Sequence, residues 1–415
     1  MGKHFKRLTA VLLATMLLLS TMTNIAGLYA DGKDPVSRIY NAISGSEAHT
    51  AEEYSARAEE KIAQSDYRGA LEDLQSAREL SDAQDEICTL WLRTASISVI
   101  LSDDAQARSA TDAALEADPA SSQAWLLSAQ LYLAEGDSKA AAEALERYTT
   151  LAPADTDTRA QLAQIYEDME RYGDAADTYE ALYQSVPGED GYLINALRCR
   201  FLSGDYEETQ TGFGSYLDDQ TKVGSEFYPV AAFLYAACAM QLGNYAEAAQ
   251  RYRVAMDAGY DASGCYEQML YCSFEAGEYA RVVEIAEAMT QSGVQSADAA
   301  SFHQMTGVAL LQLDRAAQAV DELTLAIDLS GSHYYRGAAL LALERYDEAA
   351  EDFTKSIEEN YLTDYALYNR GVCRVKTGAY ESAMDDFDAV LAGDNESLIE
   401  SATDALMQIA GHSIR

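Results

Sequence analysis

Four hundred and fifteen residues, 48% hydrophobic and 23% charged, give a globular chain with apolar material for a large core. A formal charge of −39 argues against nucleic acid and anionic lipid as partners and favours basic ones. Only five prolines, with abundant alanine and few β-branched runs, leave most of the length free to be helical.

The first thirty residues differ from the rest. Lys3, Lys6 and Arg7 precede the apolar run Leu8 to Leu19, and Gly27-Leu28-Tyr29-Ala30 closes it before Asp31. This layout predicts a signal peptide over 1–30. The uncharged stretch Leu8 to Ala30 is also long enough to span a bilayer, so an uncleaved single-pass anchor is the competing expectation. Either places the remainder outside the cytoplasm, secreted or cell-surface associated. Residues 31–50 show no repeat and read as a linker or short helix.

From residue 51 a period takes over. Tyr67, Asp104, Ser138, Tyr172, Tyr206, Tyr245, Tyr279, Ala316, Tyr346 and Tyr380 are equivalent positions, and five of their nine steps are 34 residues. Three residues after these reference positions stands Ala in eight of ten cases, with Thr209 and Val282 departing. Nine before stands Ala or Gly in eight, with Leu197 and Leu270 departing, and seven after stands mostly Leu, Tyr or Phe. Pro119, Pro153 and Pro187 lie fifteen after. The pattern predicts two amphipathic helices per unit joined by a tight turn. Small residues mark where the helices cross, and the larger residue seven after is expected to pack toward the next unit. One step of 39 residues predicts an insertion near 218–227, and one of 30 a deletion near 330–333. Residues 396–415, with Leu398, Ala402, Leu406 and Ile409 on one face, read as a C-terminal capping helix.

These positions resemble the tetratricopeptide repeat (TPR) family over residues 51–395. The resemblance implies an all-α fold, a right-handed superhelical α-solenoid of about ten helix-turn-helix units. It also implies a concave surface lined by first helices. The positions usually facing inward hold Asn195, Arg198, Phe233, Gln268, Tyr271, Gln304, Tyr334, Tyr335, Tyr368 and Asn369. Asn195 and Asn369 fall on the Asn position of the family's carboxylate clamp, with Arg93 at its counterpart, but the accompanying Lys residues are absent.

Chemistry is sparse. His4, His49, His303, His333 and His412 never pair at helical spacing, and no HExxH, CxxC, Walker loop, GxSxG or GxGxxG occurs. Four of the six cysteines, Cys199, Cys238, Cys272 and Cys373, share an apolar helix position seven before the reference and read as half-buried structural thiols. No catalytic residue, metal or cofactor is expected. The leading expectation is a non-enzymatic extracytoplasmic scaffold that holds a protein or peptide partner, basic in character, in its concave surface. The alternatives are a structural component of a cell-envelope assembly or secretion complex, or an accessory cell-wall-binding protein. Nucleic acid is not expected as a partner, and membrane only through the N-terminal segment.

Overall fold

The computed structural model describes residues 50–413. The expected signal or anchor lies outside the described residues, as do all but the last residue of the 31–50 segment and the last two of 396–415. Twenty-one α-helices run through the described span. The first twenty alternate as hairpins, and the second helices open at the ten reference residues, from Tyr67–Leu80 to Tyr380–Leu391.

One backbone device sets every one of these starts. Two residues earlier stand Ser65, Ser102, Gly136, Glu170, Gly204, Gly243, Gly277, Asp314, Glu344 and Gly378, all with left-handed φ. The next N–H reaches back five residues to a carbonyl of the first helix, as Asn244 does to Ala239 at 2.8 Å and Arg345 to Leu340 at 2.9 Å. A left-handed residue closing such a bond ends one helix and frees the chain to begin the next. Glycine meets this φ without strain, whereas a side chain there costs about 1 kcal/mol. Glu170→Gly and Glu344→Gly are therefore expected to stabilise the chain by about 0.5–1 kcal/mol each, read as an upward shift of the urea midpoint. An unchanged or lower midpoint would show that these turns carry no strain.

The chain divides into two compact units, one up to Cys199 and one from Arg200. In the first, the hairpins between Ala51 and Ser185 and the start of helix Asp190–Ser203 pack in sequence, each second helix lying on its own first helix. The second unit repeats the arrangement from Tyr206–Asp218 onward and ends in helix Glu396–Ser413, whose Leu398, Ala402 and Ile409 are buried with Phe387 and Val390. The residues between Asp218 and Tyr228 form a loop with a short 3-10 turn at Gln220–Lys222. Where the step shortens to 30 residues, the first helix His333–Ala342 has only 10 residues. The lost turn thus comes from the start of a first helix.

Packing explains the ruler. All ten residues at the position three after the reference are 0% exposed, Thr209 and Val282 included. The residue seven after fills the space over the small residue nine before, in its own hairpin, and it also meets the next unit as expected from sequence: the Tyr179 ring lies 6.5 Å from that of Tyr192 on the following first helix. A Cβ on Gly337 would lie 3.0 Å from the Phe353 ring, one on Gly371 2.8 Å from Phe387, and one on Gly307 2.5 Å from Leu323. Hence the first helix carries Gly, because a ring or branched side chain from the second occupies the volume a Cβ needs.

A polar pair sits beside this contact, ten before and six after the reference. Arg57 grips Asp73, Arg336 grips Asp352 and Arg370 grips Asp386, each with two guanidinium nitrogens on two carboxylate oxygens. The three carboxylates are only 2–3% exposed. Arg336 also donates to Thr324 and Arg370 to Thr354, residues of the preceding second helix, so each arginine laces two neighbouring hairpins. At the same two positions elsewhere, the Arg251 guanidinium lies 4.6 Å above the Tyr235 ring.

All six cysteines are free and buried. The four at the shared position are 0% exposed, deeper than the half-buried setting expected. Burial pushes the thiols of Cys199, Cys265 and Cys373 up to about 11 and those of Cys238 and Cys272 up to about 12. They are protonated at neutral pH and pack as small apolar groups.

Candidate functional site

The sequence-predicted residues fall in both units. Asn195 and Arg198 belong to the first, where Arg198 is committed: its Nη2 donates to Glu167 Oε2 at 2.6 Å. Arg93 is likewise held, by Ser55 at 2.8 Å and Glu59 at 3.0 Å. A clamp built on these arginines would have to break internal ion pairs first.

The other eight residues lie in the second unit and divide by what surrounds them. Phe233 is stacked on Tyr260 with ring centroids 4.3 Å apart and meets Tyr252 edge-on at 5.0 Å. It is a packing residue. Gln268 is half-buried on helix Ala262–Glu275. Gln304 accepts the Ser332 N–H and so fixes the entry to the short helix His333–Ala342. Tyr368 leans on Phe387 at 5.8 Å and lines a cleft of about 440 Å³ beneath the C-terminal helix, with Val372, Tyr380 and Asp404. Tyr271 stands 39% exposed beside Tyr245.

Tyr334, Tyr335 and Asn369 do come together. Asn369 Nδ2 donates to the Tyr334 hydroxyl at 3.2 Å, across two consecutive first helices. The Tyr334 and Tyr335 rings meet edge-to-face at 5.4 Å. Two residues that the sequence reading missed complete the patch. Tyr361 donates its hydroxyl to Tyr335 at 3.3 Å, with the rings 6.1 Å apart. Tyr365, 45% exposed, stands on the same helix, Thr363–Lys376, as Asn369. Between them Leu362 is 37% exposed and held at φ 46°. The signal was present: Tyr361 and Tyr260 occupy the position fifteen after the reference, where three earlier units carry Pro. In both cases the ring lies against an aromatic on its own hairpin's first helix.

The electrostatics of this patch set it apart. Three tyrosine hydroxyls elsewhere donate to carboxylates, Tyr148 to Asp155, Tyr166 to Glu146 and Tyr235 to Glu247, while Tyr216 and Tyr266 bond to serines. Tyr334 and Tyr335 are raised by burial first, and then only tyrosines and Asn369 act on them, with no described carboxylate. Tyr335 is pushed up to about 12. Both therefore keep their protons at neutral pH. Glu359 and Asp364 are the acids nearest in sequence, and Glu359 is bonded to His333.

Comparison with known proteins bears on what such a patch belongs to. Residues 122–165 and 334–397 match two family models, both described as tetratricopeptide repeat. Among solved structures, one described as Naa15/Naa10 bound to HypK-THB aligns over 85% of this chain and 65% of its own, at 13% identity and a TM-score of 0.48. A tetratricopeptide repeat protein from Parabacteroides merdae aligns over 61% of this chain and 98% of its own, at 15% identity and a TM-score of 0.37. YrrB, described as a TPR protein with an unusual peptide-binding site, aligns over 46% of this chain and 97% of its own, at 18% identity and a TM-score of 0.39. No curated protein matches the chain. A repeat model is matched in each unit and the same hairpin recurs along the described residues, so the chain carries tetratricopeptide repeats.

Proposed function

We propose that the chain is a non-enzymatic scaffold, working outside the cytoplasm, that captures a protein or peptide partner on the first helices of its second unit. One observation carries the reading. Tyr271, Tyr361 and Tyr365, at 39%, 36% and 45% exposure, offer large aromatic faces in a unit whose other rings are mostly spent on packing. An exposed tyrosine gives apolar area and a hydroxyl with little side-chain entropy to lose, which suits capture of a partner. Function in repeat proteins resides in such extended surfaces rather than in cavities. The basic, then apolar, N-terminal thirty residues support the setting outside the cytoplasm. The charge of −39 adds long-range attraction for basic partners, which salt would screen.

The test is affinity capture from an envelope extract on the immobilised chain and on its Tyr271→Ala/Tyr365→Ala variant. A partner retained by the wild type and reduced at least about fivefold on the variant is the expected result, since two exposed aromatic contacts are worth about 1 kcal/mol or more together. Equal retention by both would move the contact to another surface and overturn the assignment.

A further inference from the structure

The tyrosine–asparagine patch narrows the kind of partner, on the reading that the second unit captures a peptide. We propose that Tyr334, Tyr335, Tyr361, Tyr365 and Asn369 form a site for an uncharged, proline-rich segment in the extended polyproline conformation.

Three observations lead there. The first is that no described carboxylate accepts a hydrogen bond from Tyr334, Tyr335 or Tyr361. Carboxylates are spread over the whole chain, Asp364 beside Tyr365 included, so a basic peptide is attracted to many places and has no reason to select these five residues. The hydroxyls here answer only to one another and to Asn369. A neutral ligand is the one such a surface discriminates for.

The second is the count of donors. Asn369 gives one N–H to Tyr334, which leaves the Tyr334 O–H to donate. Tyr361 and Tyr335 share one hydrogen bond between two hydroxyls, so one O–H of that pair is left to donate as well. The patch therefore presents donors and needs acceptors. A polyproline helix forms no internal hydrogen bonds, and its prolines have carbonyls but no N–H. It is a ligand made of acceptors.

The third is the ring geometry. Tyr334, Tyr335 and Tyr361 are set edge-to-face, at 82° and 65°, so the patch presents angled ring faces rather than one flat wall. Proline rings pack on angled aromatic faces, and the segment loses little entropy because its backbone is already ordered. Leu362, exposed beside Tyr361, extends the apolar floor.

The experiment titrates the full chain with an end-capped, fluorescein-labelled decaproline and with an equally long Lys-Gly repeat peptide. Saturable binding of decaproline is expected, insensitive to added salt. Tyr334→Phe, which removes a hydroxyl left to donate, should weaken it about fivefold, the worth of one hydrogen bond, whereas Tyr335→Phe, which frees the Tyr361 hydroxyl in exchange, should weaken it less. If decaproline fails while the Lys-Gly peptide binds and is lost on Tyr365→Ala, the capture surface stands and the proline-rich assignment falls. If a neutral oligosaccharide such as cellohexaose binds at these residues and decaproline does not, the assignment also falls, in favour of a sugar. If no probe responds to any of these variants and the captured partner is retained as well, the proposed site and the capture surface both fail.

Discussion

Arg336→Ala is expected to be the most damaging of the single arginine truncations, lowering stability by about 3–5 kcal/mol, because it strands a buried carboxylate without its counter-charge. The side chain of Asp352 is 3% exposed and that of Arg336 20%. Among the described residues no second cation stands on Asp352. The equivalent pairs have reserves: Lys61 lies 2.8 Å from Asp73, and Arg374 lies 2.6 Å from Asp386. Arg57→Ala and Arg370→Ala should therefore cost clearly less, and the ordering is what urea unfolding followed by circular dichroism would read. Asp352→Asn should be milder still, because the partly exposed Arg336 can turn to water. Replacing both partners, as Arg336→Met with Asp352→Leu, should recover most of the loss, since an apolar pair of similar volume leaves no charge stranded. Equal losses for all three arginines would mean that the pairs act through packing alone.

Phe387→Ala is expected to cost about 3–5 kcal/mol by opening a cavity at a position that is 0% exposed. Gly371→Ala, directly opposite, should cost about 1–3 kcal/mol for the opposite reason, since its new Cβ would fall 2.8 Å from the Phe387 ring. The two losses should not add. In the hairpin of Tyr279 the sizes are already exchanged, with Leu270 on the first helix facing Ala286 on the second. Gly371→Leu combined with Phe387→Ala copies that arrangement and should be more stable than either single change. A double mutant as unstable as the sum of the two would show that the positions do not share one volume.

The helices were legible because one signal repeats. Ten reference residues, chosen for a Tyr and its neighbours, turn out to begin ten second helices even where the aromatic is gone, at Asp104, Ser138 and Ala316. The reason is the left-handed residue two earlier, which the sequence states openly only in the five hairpins that use Gly. Contacts within a hairpin were less legible. A period gives the position of a large side chain but not every small neighbour it covers, so the sequence points the residue seven after at the next unit and is silent on the Gly of its own hairpin. The site was legible in part. Tyr334, Tyr335 and Asn369 stood on inward positions, yet Phe233 on such a position is consumed by Tyr252 and Tyr260. Tyr361 lay in a loop, where helical phase gives no guidance.

The six buried thiols also have a kinetic meaning. They are distributed at residues 88, 199, 238, 265, 272 and 373, in five different hairpins, and each must leave its packing before an alkylating reagent can reach it. In an array whose elements touch mainly their sequence neighbours, opening proceeds locally and spreads. The order in which these sulfurs become modified under mild denaturant therefore records, site by site, where the array comes apart first. The native chain carries its own set of clocks along its length, without an added probe.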